Sequence, residues 1–360
     1  MLAYSLGRPE VQFDEALERA FYANKRVLIT GAAGTIGSAL ALKLARYGCA
    51  NLAMLDQFDH GLLDVVEAVR KAAPKQQVTE VLCDIRDSGR LDSWMHRVEP
   101  DVVIHSAALK HVHLGERHPS ECVLTNLVGV RNTLAAAANA GASHFMLISS
   151  DKAAAPVCVM GATKRLAELH LIGFQMERNP SMRLRSVRFG NVLGSQGSVL
   201  PRFAAQIEAG GPLEVTHPDM RRFFMTSREA VSLILSVTAT PDAGAPGAGA
   251  YFMEMGDKIA IMDIGRELIR RSGRDIAIEI TGLRPGEKLE EQLSDEYETV
   301  APSALAGVFR VAPLAADAYV TSADVAHLET VARSLDSAIV RQRVFAHLDQ
   351  RLARDDRAAG

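Results

Sequence analysis

Short apolar runs alternate with longer stretches of helical period through the first half of the chain. Turn residues bound the runs, and between them apolar side chains recur every three or four positions, as on one face of a helix. Five runs predict strands at 26–30, 51–55, 78–83, 101–105 and 144–149. Strands that alternate with helices form parallel sheets with helices on both faces. The pattern therefore predicts an α/β fold with a Rossmann-type, doubly wound parallel sheet.

A sixth apolar run at 184–189 continues the sheet, and the chain then becomes rich in loops. Glycines at 190, 194, 197, 210 and 211 mark the expected start of a smaller, C-terminal substrate-binding lobe. A Gly/Ala-rich stretch at 243–250 predicts an exposed turn, and a strand at 251–255 and a helix at 262–271 follow it. Near the end, four apolar residues at helical spacing predict terminal helices. They are Val325, Leu328, Val331 and Leu335.

These patterns divide the chain into four parts. Residues 1–24 form a leading segment with one short helix over 14–22, and 25–190 form the Rossmann domain. Residues 191–300 form mainly the smaller lobe, with segments near 223–258 that return to the Rossmann domain. Residues 301–360 are expected to form a helical tail.

Composition and charge exclude several classes of protein. The 48% share of apolar residues and the 23% share of charged residues are ordinary for a folded globular protein. A net charge of −3 provides no basic field for nucleic acid, and no apolar run reaches the roughly 18 residues of a membrane helix. Four scattered cysteines predict neither a disulfide framework nor a zinc site. We expect a cytoplasmic protein that binds small anions and no metal ion.

The segment after the first strand carries three glycines in a strand–turn–helix context. Gly31 would allow a tight turn, Gly34 would let the backbone approach a diphosphate, and Gly37 would let the helix pack closely on the strand. The helix is expected to begin at Ser38, and its unpaired N–H groups favour an anion. The segment therefore predicts a dinucleotide site. Its predicted contacts are Gly31, Gly34, Thr35, Ile36 and Gly37.

Residues after the next strands indicate which dinucleotide binds. Asp56 lies 19 residues past position 37, where a carboxylate accepts hydrogen bonds from both hydroxyls of the adenosine ribose. Because a carboxylate there repels a 2′-phosphate, we expect NAD rather than NADP. Asp84 and Ile85 follow the third strand and would flank the adenine, and Ala107 and Ala108 follow the fourth and would line the cofactor.

Five further motifs together point to one enzyme family. They are KHV at 110–112, SDK at 150–152, VMGATK at 159–164, RFGNVLGS at 188–195 and GLRPGEK at 282–288. With the glycine turn, they resemble the UDP-N-acetylglucosamine 4,6-dehydratases of capsule, O-antigen and glycan biosynthesis. These enzymes are a branch of the extended short-chain dehydrogenase/reductase family. The resemblance covers about residues 6–300.

The resemblance implies an internal redox cycle on the sugar of UDP-N-acetylglucosamine. Hydride leaves carbon 4 for NAD, water is eliminated across carbons 5 and 6, and the same hydride returns to carbon 6. Oxidation at carbon 4 acidifies the hydrogen at carbon 5, which then lies beside a ketone, and the hydroxyl at carbon 6 needs a proton to leave. The reaction therefore needs an acid and a base side by side.

The resemblance also assigns the catalytic residues. Asp151 is the implied acid for the departing hydroxyl, and Lys152 is the implied base at carbon 5. Lys152 can act as a base only if its pKa is lowered, which a buried position beside Lys164 or the positive ring of the cofactor would achieve. Lys164 is implied to hold the nicotinamide ribose and to help deprotonate the group that is oxidised. One helical turn earlier most relatives carry a tyrosine base, but here the residue is Met160, whose thioether accepts no proton.

Met160 leaves two interpretations open. Either the enzyme is degenerate, or it belongs to an active subgroup that carries methionine here and is associated with retention at carbon 5. We favour the second because Asp151, Lys152 and Lys164 are intact. Ser150 or Asp151, directly or through a water molecule, would then take the proton of the carbon-4 hydroxyl.

Substrate-side residues follow from the same resemblance. Asn191 and the loop at 194–198 would meet the diphosphate and uridine, while Arg222 and Arg284, with Glu287, would clamp diphosphate and ribose. Arginine suits this role because its planar fork binds phosphate oxygens in pairs. The predicted substrate contacts are Lys110, His111, Asn191, Ser195, Gly197, Ser198, Arg222, Arg284 and Glu287.

Two other functions stay open. A UDP-sugar 4-epimerase shares the scaffold and the first oxidation, but it needs no acid and base at carbons 5 and 6. A non-catalytic NAD-binding protein is suggested only by Met160. Residues 6–11 resemble the connector that follows the membrane helices of many family members, so the chain is either naturally soluble or the catalytic part of a membrane-anchored parent. We also expect a homo-oligomer.

Overall fold

Strands and helices alternate through most of the chain. The computed structural model describes residues 7–178, 181–241, 248–313, 318–334 and 336–353. The helices are α1 (Glu15–Tyr22), α2 (Thr35–Leu44), α3 (Asp59–Ala72), α4 (Ser88–Val98), α5 (Val112–Arg117), α6 (Pro119–Cys122), α7 (Gly129–Asn139), α8 (Val159–Arg178), α9 (Val199–Glu208), α10 (Ser227–Ala239), α11 (Ile261–Ser272), α12 (Ser322–Ala332) and α13 (Ser337–Ala353). The strands are β1 (Arg26–Thr30), β2 (Asn51–Asp56), β3 (Val78–Leu82), β4 (Val102–His105), β5 (His144–Ile148), β6 (Arg183–Val187), β7 (Asn191–Val192), β8 (Leu213–Val215), β9 (Arg221–Arg222), β10 (Phe224–Met225), β11 (Gly249–Met253), β12 (Ile259–Ala260), β13 (Ile278–Ile280), β14 (Glu298–Pro302) and β15 (Val308–Pro313).

Within the described ranges, nine strands form one sheet in the order β14-β15-β11-β6-β5-β4-β1-β2-β3. All neighbouring strands from β3 to β11 are parallel. The order of the first six strands, 3-2-1-4-5-6, is that of doubly wound dinucleotide-binding sheets. The predicted α/β Rossmann fold is therefore confirmed. The strand order reverses between β1 and β4, so a crevice opens there at the carboxyl ends of the strands.

Helices bury both faces of this sheet. Leu28 packs into an apolar cluster with residues of α4, α7 and α8, whereas its neighbours Val27 and Ile29 pack into a second cluster with residues of α2, α3 and α10. A smaller cluster around Phe203 and Leu213 joins α9, β8 and α11 beside the sheet. None of the helices in the described ranges is long and apolar enough to cross a lipid bilayer.

Several element boundaries differ from the predictions. Helix α2 begins at Thr35 rather than Ser38, because Gly34 is its N-cap. Strand β11 lies two residues earlier than predicted. Val325 and Leu328 of the terminal stripe are buried in α12, which confirms the predicted helix. Leu335 and positions 243–247 of the predicted turn lie outside the described residues.

The region predicted as a helical tail begins with a β-hairpin. Strand β14 pairs antiparallel with β15, and β15 pairs antiparallel with β11, so the hairpin extends the main sheet. Val308 and Val311 of β15 are buried, and Gly307 makes the turn into this strand with a φ of 71°. The strands escaped prediction because they are short and each contains a proline, a residue confined in sheets to edges and ends.

A network of buried charges ties four elements together below the carboxyl edge of β5 and β6. Arg188, directly after β6, donates to Glu168 of α8 at 2.9 and 2.5 Å and to Glu298 of β14 at 2.8 and 2.7 Å. Arg165 of α8 also donates to Glu298, and Ser149 after β5 donates to Glu168 at 2.5 Å. All five side chains are buried. We call this set the Arg188 network.

Replacing Arg188 by methionine is expected to lower the free energy of unfolding by about 3–5 kcal/mol. The substitution keeps most of the volume but removes a cation from two buried carboxylates, and an unpaired buried charge is costly. Urea denaturation followed by circular dichroism measures the loss. The matched control is Arg202→Met, which breaks a 2.5 Å ion pair with Glu214 at the surface and should cost at most about 1 kcal/mol. Equal losses in the two variants would contradict the assigned role of the network.

Candidate active site

The turn between β1 and α2 lies at the carboxyl edge of the sheet, where the strand order reverses. Gly31 has a φ of 67°, and a Cβ at this position would lie 2.6 Å from the backbone nitrogen of Ala107, after β4. A Cβ at Gly37 would lie 2.1 Å from the carbonyl oxygen of Gly31. Backbone approach therefore demands glycine at both positions.

The N-terminus of α2 suits an anionic ligand. Gly34 is the N-cap and supplies no side-chain acceptor, so N–H groups of the first turn, those of Thr35 and Ile36 included, have no intrahelical partner. A Cβ at Gly34 would meet only the carbonyl oxygen of Gly31, at 3.2 Å. A helix terminus of this kind fits a diphosphate.

Asp56 lies beside this turn. One carboxylate oxygen accepts a hydrogen bond from the backbone nitrogen of Ala33 at 2.9 Å, and the other accepts from that of Phe58 at 3.0 Å. These two bonds fix the carboxylate at the end of β2 and next to the glycines. The arrangement fits recognition of an adenosine ribose.

The remaining predicted cofactor contacts differ in how they are held. Asp84 binds Arg86 at 2.8 Å, and although burial raises the pKa of Asp84, the hydrogen bonds from Arg86 outweigh burial and lower it. Ile85 is buried, whereas Ala107 and Ala108 are half-buried directly after β4. All four lie after β3 or β4, at the same sheet edge as the glycine turn.

A short 3₁₀ turn at Asp151–Ala153 follows β5 and carries the predicted acid and base. Oδ1 of Asp151 accepts hydrogen bonds from Ser150 Oγ at 2.8 Å and from Lys152 Nζ at 3.0 Å. Asp151 is fully buried, and its Oδ2 has no hydrogen-bond partner among the described residues. The backbone nitrogen of Asp151 donates to Phe189 at 3.1 Å, which holds the turn against the end of β6.

The charge state of Lys152 differs from the expectation. Burial lowers the pKa of Lys152, but the carboxylates of Asp151 and Glu291 raise it by more, so the net shift is upward despite the opposing charge of Arg222. Lys152 Nζ lies 3.9 Å from Glu291 Oε1. The described residues therefore do not supply the lowered pKa that a base at this position needs, and Lys152 is a cation between two carboxylates.

Lys164, in contrast to Lys152, has a depressed pKa. It is buried in α8, its Nζ donates to the carbonyl oxygen of Ile148 at 2.9 Å, and burial lowers its pKa to about 8. Met160, one turn earlier, is buried in an apolar cluster with Cys122 and Cys158. Its side chain fills space in that cluster and holds no proton.

The predicted sugar-pocket segment and the substrate loop lie against each other. Lys110 Nζ donates to the carbonyl oxygen of Gln196 at 2.6 Å, and a Cβ at Gly197 would lie 2.7 Å from the ring of His111. The backbone nitrogen of Gln196 also donates to Thr35 Oγ1 at 3.2 Å. The loop therefore bridges the glycine turn and the sugar-pocket segment.

Three other predicted contacts lie at the two ends of this loop. Asn191 is the first residue of β7, which pairs with β10. Ser198 is the N-cap of α9, and its backbone nitrogen donates to the carbonyl oxygen of Ser195 at 3.0 Å. The Oγ of Ser198 is buried and has no hydrogen-bond partner among the described residues. The loop thus ends on two short elements of the smaller lobe.

The two predicted arginines are used differently. Arg222 is buried in β9 and donates to the carbonyl oxygens of Lys288 at 2.7 Å and Leu289 at 2.8 Å, so it holds the later motif in place. Glu287 accepts from the backbone nitrogen of Arg284 at 3.0 Å. The guanidinium of Arg284 has neither a hydrogen bond nor an ion pair with any residue that the structure describes, so it is available to a ligand.

Sequence reasoning missed two residues of the site. Asn126 lies in the π-helical stretch Val123–Val128, a local form frequent at functional sites, and its side chain bonds both the N–H and the C=O of Leu109 at 2.8 and 3.0 Å. In the sequence, only its amide side chain within a largely apolar run marks Asn126 as a candidate. Glu291 follows the GLRPGEK motif, but the sequence does not indicate that it approaches Lys152.

Comparison with known proteins identifies the family. The sequence profile of a family described as polysaccharide biosynthesis protein matches residues 27–313. The chain belongs to this family. It is 40% identical over 297 residues to the capsular polysaccharide biosynthesis protein CapD of Staphylococcus aureus, a match that covers 81% of this chain and 49% of CapD. The chain therefore spans about half the length of that relative. A UDP-glucose 4-epimerase of Rickettsia prowazekii is 31% identical over 291 residues, which cover 81% of this chain and 83% of the epimerase.

Solved structures share the fold. Pen from Bacillus thuringiensis is 30% identical and superposes with a TM-score of 0.73, over 82% of this chain and 90% of Pen. The dTDP-glucose 4,6-dehydratase DesIV of Streptomyces venezuelae, whose structure contains NAD, is 22% identical with a TM-score of 0.65, over 74% of this chain and 88% of DesIV. At 22% identity, the similarity to DesIV supports only the Rossmann fold.

Gly37→Ala is expected to weaken NAD binding and to lower the free energy of unfolding by about 1–3 kcal/mol. The added methyl group would overlap the Gly31 carbonyl and push α2 away from the turn. Calorimetric titration with NAD and thermal denaturation measure the two effects. Gly89→Ala, on the exposed first turn of α4, is the matched control, because its Cβ would meet only Asp87 Oδ1, at 3.8 Å. Unchanged NAD affinity in Gly37→Ala would contradict the assignment.

Replacing Lys164 by methionine is expected to change the pH dependence of stability. With a pKa near 8 in the fold against 10.5 ordinarily, the unfolded chain binds more protons between these values, so Lys164 makes stability rise with pH there. The free energy of unfolding of the wild type, minus that of Lys164→Met, should increase from about pH 8 to about pH 10.5. Denaturant titrations across this range measure the difference, with the exposed Lys71→Met as control. If this difference in the free energy of unfolding does not change between about pH 8 and pH 10.5, burial does not lower the pKa of Lys164 in the folded protein.

Proposed function

We propose that the protein is an NAD-dependent UDP-N-acetylglucosamine 4,6-dehydratase of surface polysaccharide biosynthesis. The product would be a UDP-4-keto-6-deoxy-N-acetylhexosamine with retained configuration at carbon 5. The observation that carries the proposal is the buried Asp151 carboxylate, which lies 3.0 Å from Lys152 Nζ at the carboxyl end of β5. An acid and a base side by side are what elimination across carbons 5 and 6 requires.

The cofactor side supports NAD. The glycine turn, the open helix N-terminus and Asp56 form a set that fits a dinucleotide with a free 2′-hydroxyl. A bound nicotinamide would accept the hydride of carbon 4 and return it to carbon 6. Lys164, buried beside the Asp151 turn, would hold the adjoining ribose.

In the first step, Ser150 and Asp151 would take the proton of the carbon-4 hydroxyl. Ser150 Oγ already donates to Asp151 Oδ1 at 2.8 Å, so a proton that arrives at Ser150 has a direct route to the carboxylate. Protonated Asp151 is then the acid that the next step needs. Because the Asp151 carboxylate raises the pKa of Lys152, its neutralisation also lowers the pKa of Lys152 when the base is required.

In the second step, Lys152 would first release its proton to solvent, and its neutral amine would then take the proton of carbon 5. The electrons of that C–H bond form the double bond between carbons 5 and 6, the C–O bond at carbon 6 breaks, and Asp151 gives its proton to the departing hydroxyl. Lys152 then returns a proton to carbon 5 from the same side. That return would give retention at carbon 5, and Lys152 would then regain its resting proton from solvent while Asp151 is again a carboxylate.

The binding of the UDP portion would fall to the smaller lobe. The guanidinium of Arg284, which has no partner in the part of the chain that the structure describes, suits a phosphate. Lys110 and His111 lie against the 194–198 loop that would cover the nucleotide. Arg222 would act by holding the segment that carries Arg284.

A UDP-sugar 4-epimerase is the second candidate, and the 31% identity with the Rickettsia protein favours it. An epimerase would share the oxidation at carbon 4 but would leave carbons 5 and 6 unchanged. The acid–base pair at Asp151 and Lys152 speaks for the dehydratase. The only residue that suggests a non-catalytic NAD-binding role is Met160. Because Met160 packs in an apolar cluster, it is weak evidence for that role.

Incubation of the protein with NAD and UDP-N-acetylglucosamine in heavy water tests the proposal. We expect NMR spectra of a 4-keto-6-deoxy sugar with deuterium at carbon 5 and the original configuration there. A product changed only at carbon 4 would establish the epimerase instead. Unchanged sugar, with binding verified by calorimetry, would refute both enzymatic functions.

Asp151→Asn supplies the control. The substitution keeps size and buried polarity but removes the acid, so product formation should fall by roughly 100-fold or more. Glu290→Gln, an exposed carboxylate that binds Lys258, should leave the rate unchanged.

A further inference from the structure

Glu291 is a buried carboxylate that the reaction described above leaves without a task. Its side chain is 4% exposed, and it lies in the loop after the GLRPGEK motif. Oε1 is 3.9 Å from Lys152 Nζ, and Oε2 is 4.0 Å from Lys288 Nζ. Oε2 has no hydrogen-bond partner among the described residues. A buried carboxylate with so few donors depends on nearby positive charge.

Lys152 is the cation on which the charge of Glu291 acts most directly, and several other charged or titratable groups surround its amine. Asp151 approaches Nζ from the same turn and Glu291 from the later loop, whereas Arg222 approaches from β9 and the thiol of Cys158 lies before α8. The two carboxylates outweigh burial and Arg222, and they raise the pKa of Lys152. Once Asp151 is protonated, Glu291 is the negative charge that still faces the amine.

We propose that Glu291 is a positioning residue that stabilises the positive charge which Lys152 acquires when it takes the carbon-5 proton. The inference rests on the proposed dehydratase function. Glu291 itself exchanges no proton: the carbon-5 proton moves to Nζ, the C–H electrons form the new double bond, and the proton of Asp151 leaves with the hydroxyl. A fixed charge in a buried site favours such a charged state without reorganising during the step.

A purely structural role is the alternative, because Lys288 anchors the same loop. Its Nζ donates to the carbonyl oxygens of Ala154 and Ala155. If Glu291 served only this anchor, its loss would slow the carbon-4 oxidation and the elimination equally and would leave the titration of Lys152 unchanged. The two roles therefore predict different results.

The first measurement follows the titration of Lys152 in protein labelled with carbon-13 at the lysine ε-carbon, with Lys152→Arg to assign the signal. In Glu291→Gln, which keeps size and hydrogen-bonding capacity, the pKa of Lys152 should fall. It should stay unchanged in the neighbouring control Glu290→Gln. Glu291→Asp, which keeps the charge, should bring it back toward the wild-type value.

The second measurement separates the two half-reactions in a single turnover. Formation of reduced nicotinamide should proceed at the wild-type rate in Glu291→Gln, whereas elimination should slow by roughly tenfold or more. The rise of the elimination rate with pH should also move to lower pH, because the amine then loses its proton more readily.

The outcomes distinguish the two proposals. An unchanged titration of Lys152 in folded Glu291→Gln, or an equal slowing of both half-reactions, would overturn the role of Glu291 alone. A wild-type protein that forms no 4-keto-6-deoxy sugar would refute the dehydratase function, whatever the titration shows.

Discussion

The Arg188 network is the interaction on which the geometry of the candidate site depends. Its guanidinium joins the end of β6, the middle of α8 and the start of β14, and Ser149 brings in the end of β5. Each charge would be costly if it were buried alone. The elements that carry them must therefore dock together. The Asp151 turn begins two residues after Ser149, so its position depends on a carboxylate supplied by Glu298, far along the chain in the C-terminal hairpin.

Close contacts between backbone segments fix the positions of the cofactor side and the catalytic side of the site on the sheet. On the cofactor side, Gly31 and Gly37 let the turn pack on the segment after β4 and on α2. On the catalytic side, a Cβ at Gly161 of α8 would lie 2.2 Å from the carbonyl oxygen of Lys152. Glycine therefore lets α8 approach the Asp151 turn and brings Lys164 to the end of β5. Both contacts are between backbones, so few alternative side chains can satisfy them.

The parts of the fold that sequence predicted are those that local pattern determines. The six parallel strands follow from apolar runs, and the positions of Gly31 and Asp151 follow from motifs placed directly after such runs. Glu291 and the short strands β14 and β15 could not be predicted in this way. Their roles depend on neighbours that are distant in sequence, and neither periodicity nor spacing reports such contacts. The raised pKa of Lys152 could be expected only in part, because Asp151 is its sequence neighbour whereas Glu291, which adds to the effect, is distant in sequence.

The two lysines of the site illustrate how surroundings divide chemical tasks between identical side chains. Burial outweighs the charge of Glu168 and lowers the pKa of Lys164 to about 8, whereas Asp151 and Glu291 raise that of Lys152. Titratable groups whose surroundings push their pKa values apart are characteristic of acid–base sites. Lys152 Nζ donates to the Asp151 carboxylate at 3.0 Å, while Lys164 donates to the backbone at the end of β5. Since Met160 contributes no proton, the proposed dehydratase would exchange protons with the sugar through the Ser150–Lys152 segment, which Glu291 approaches from the later loop.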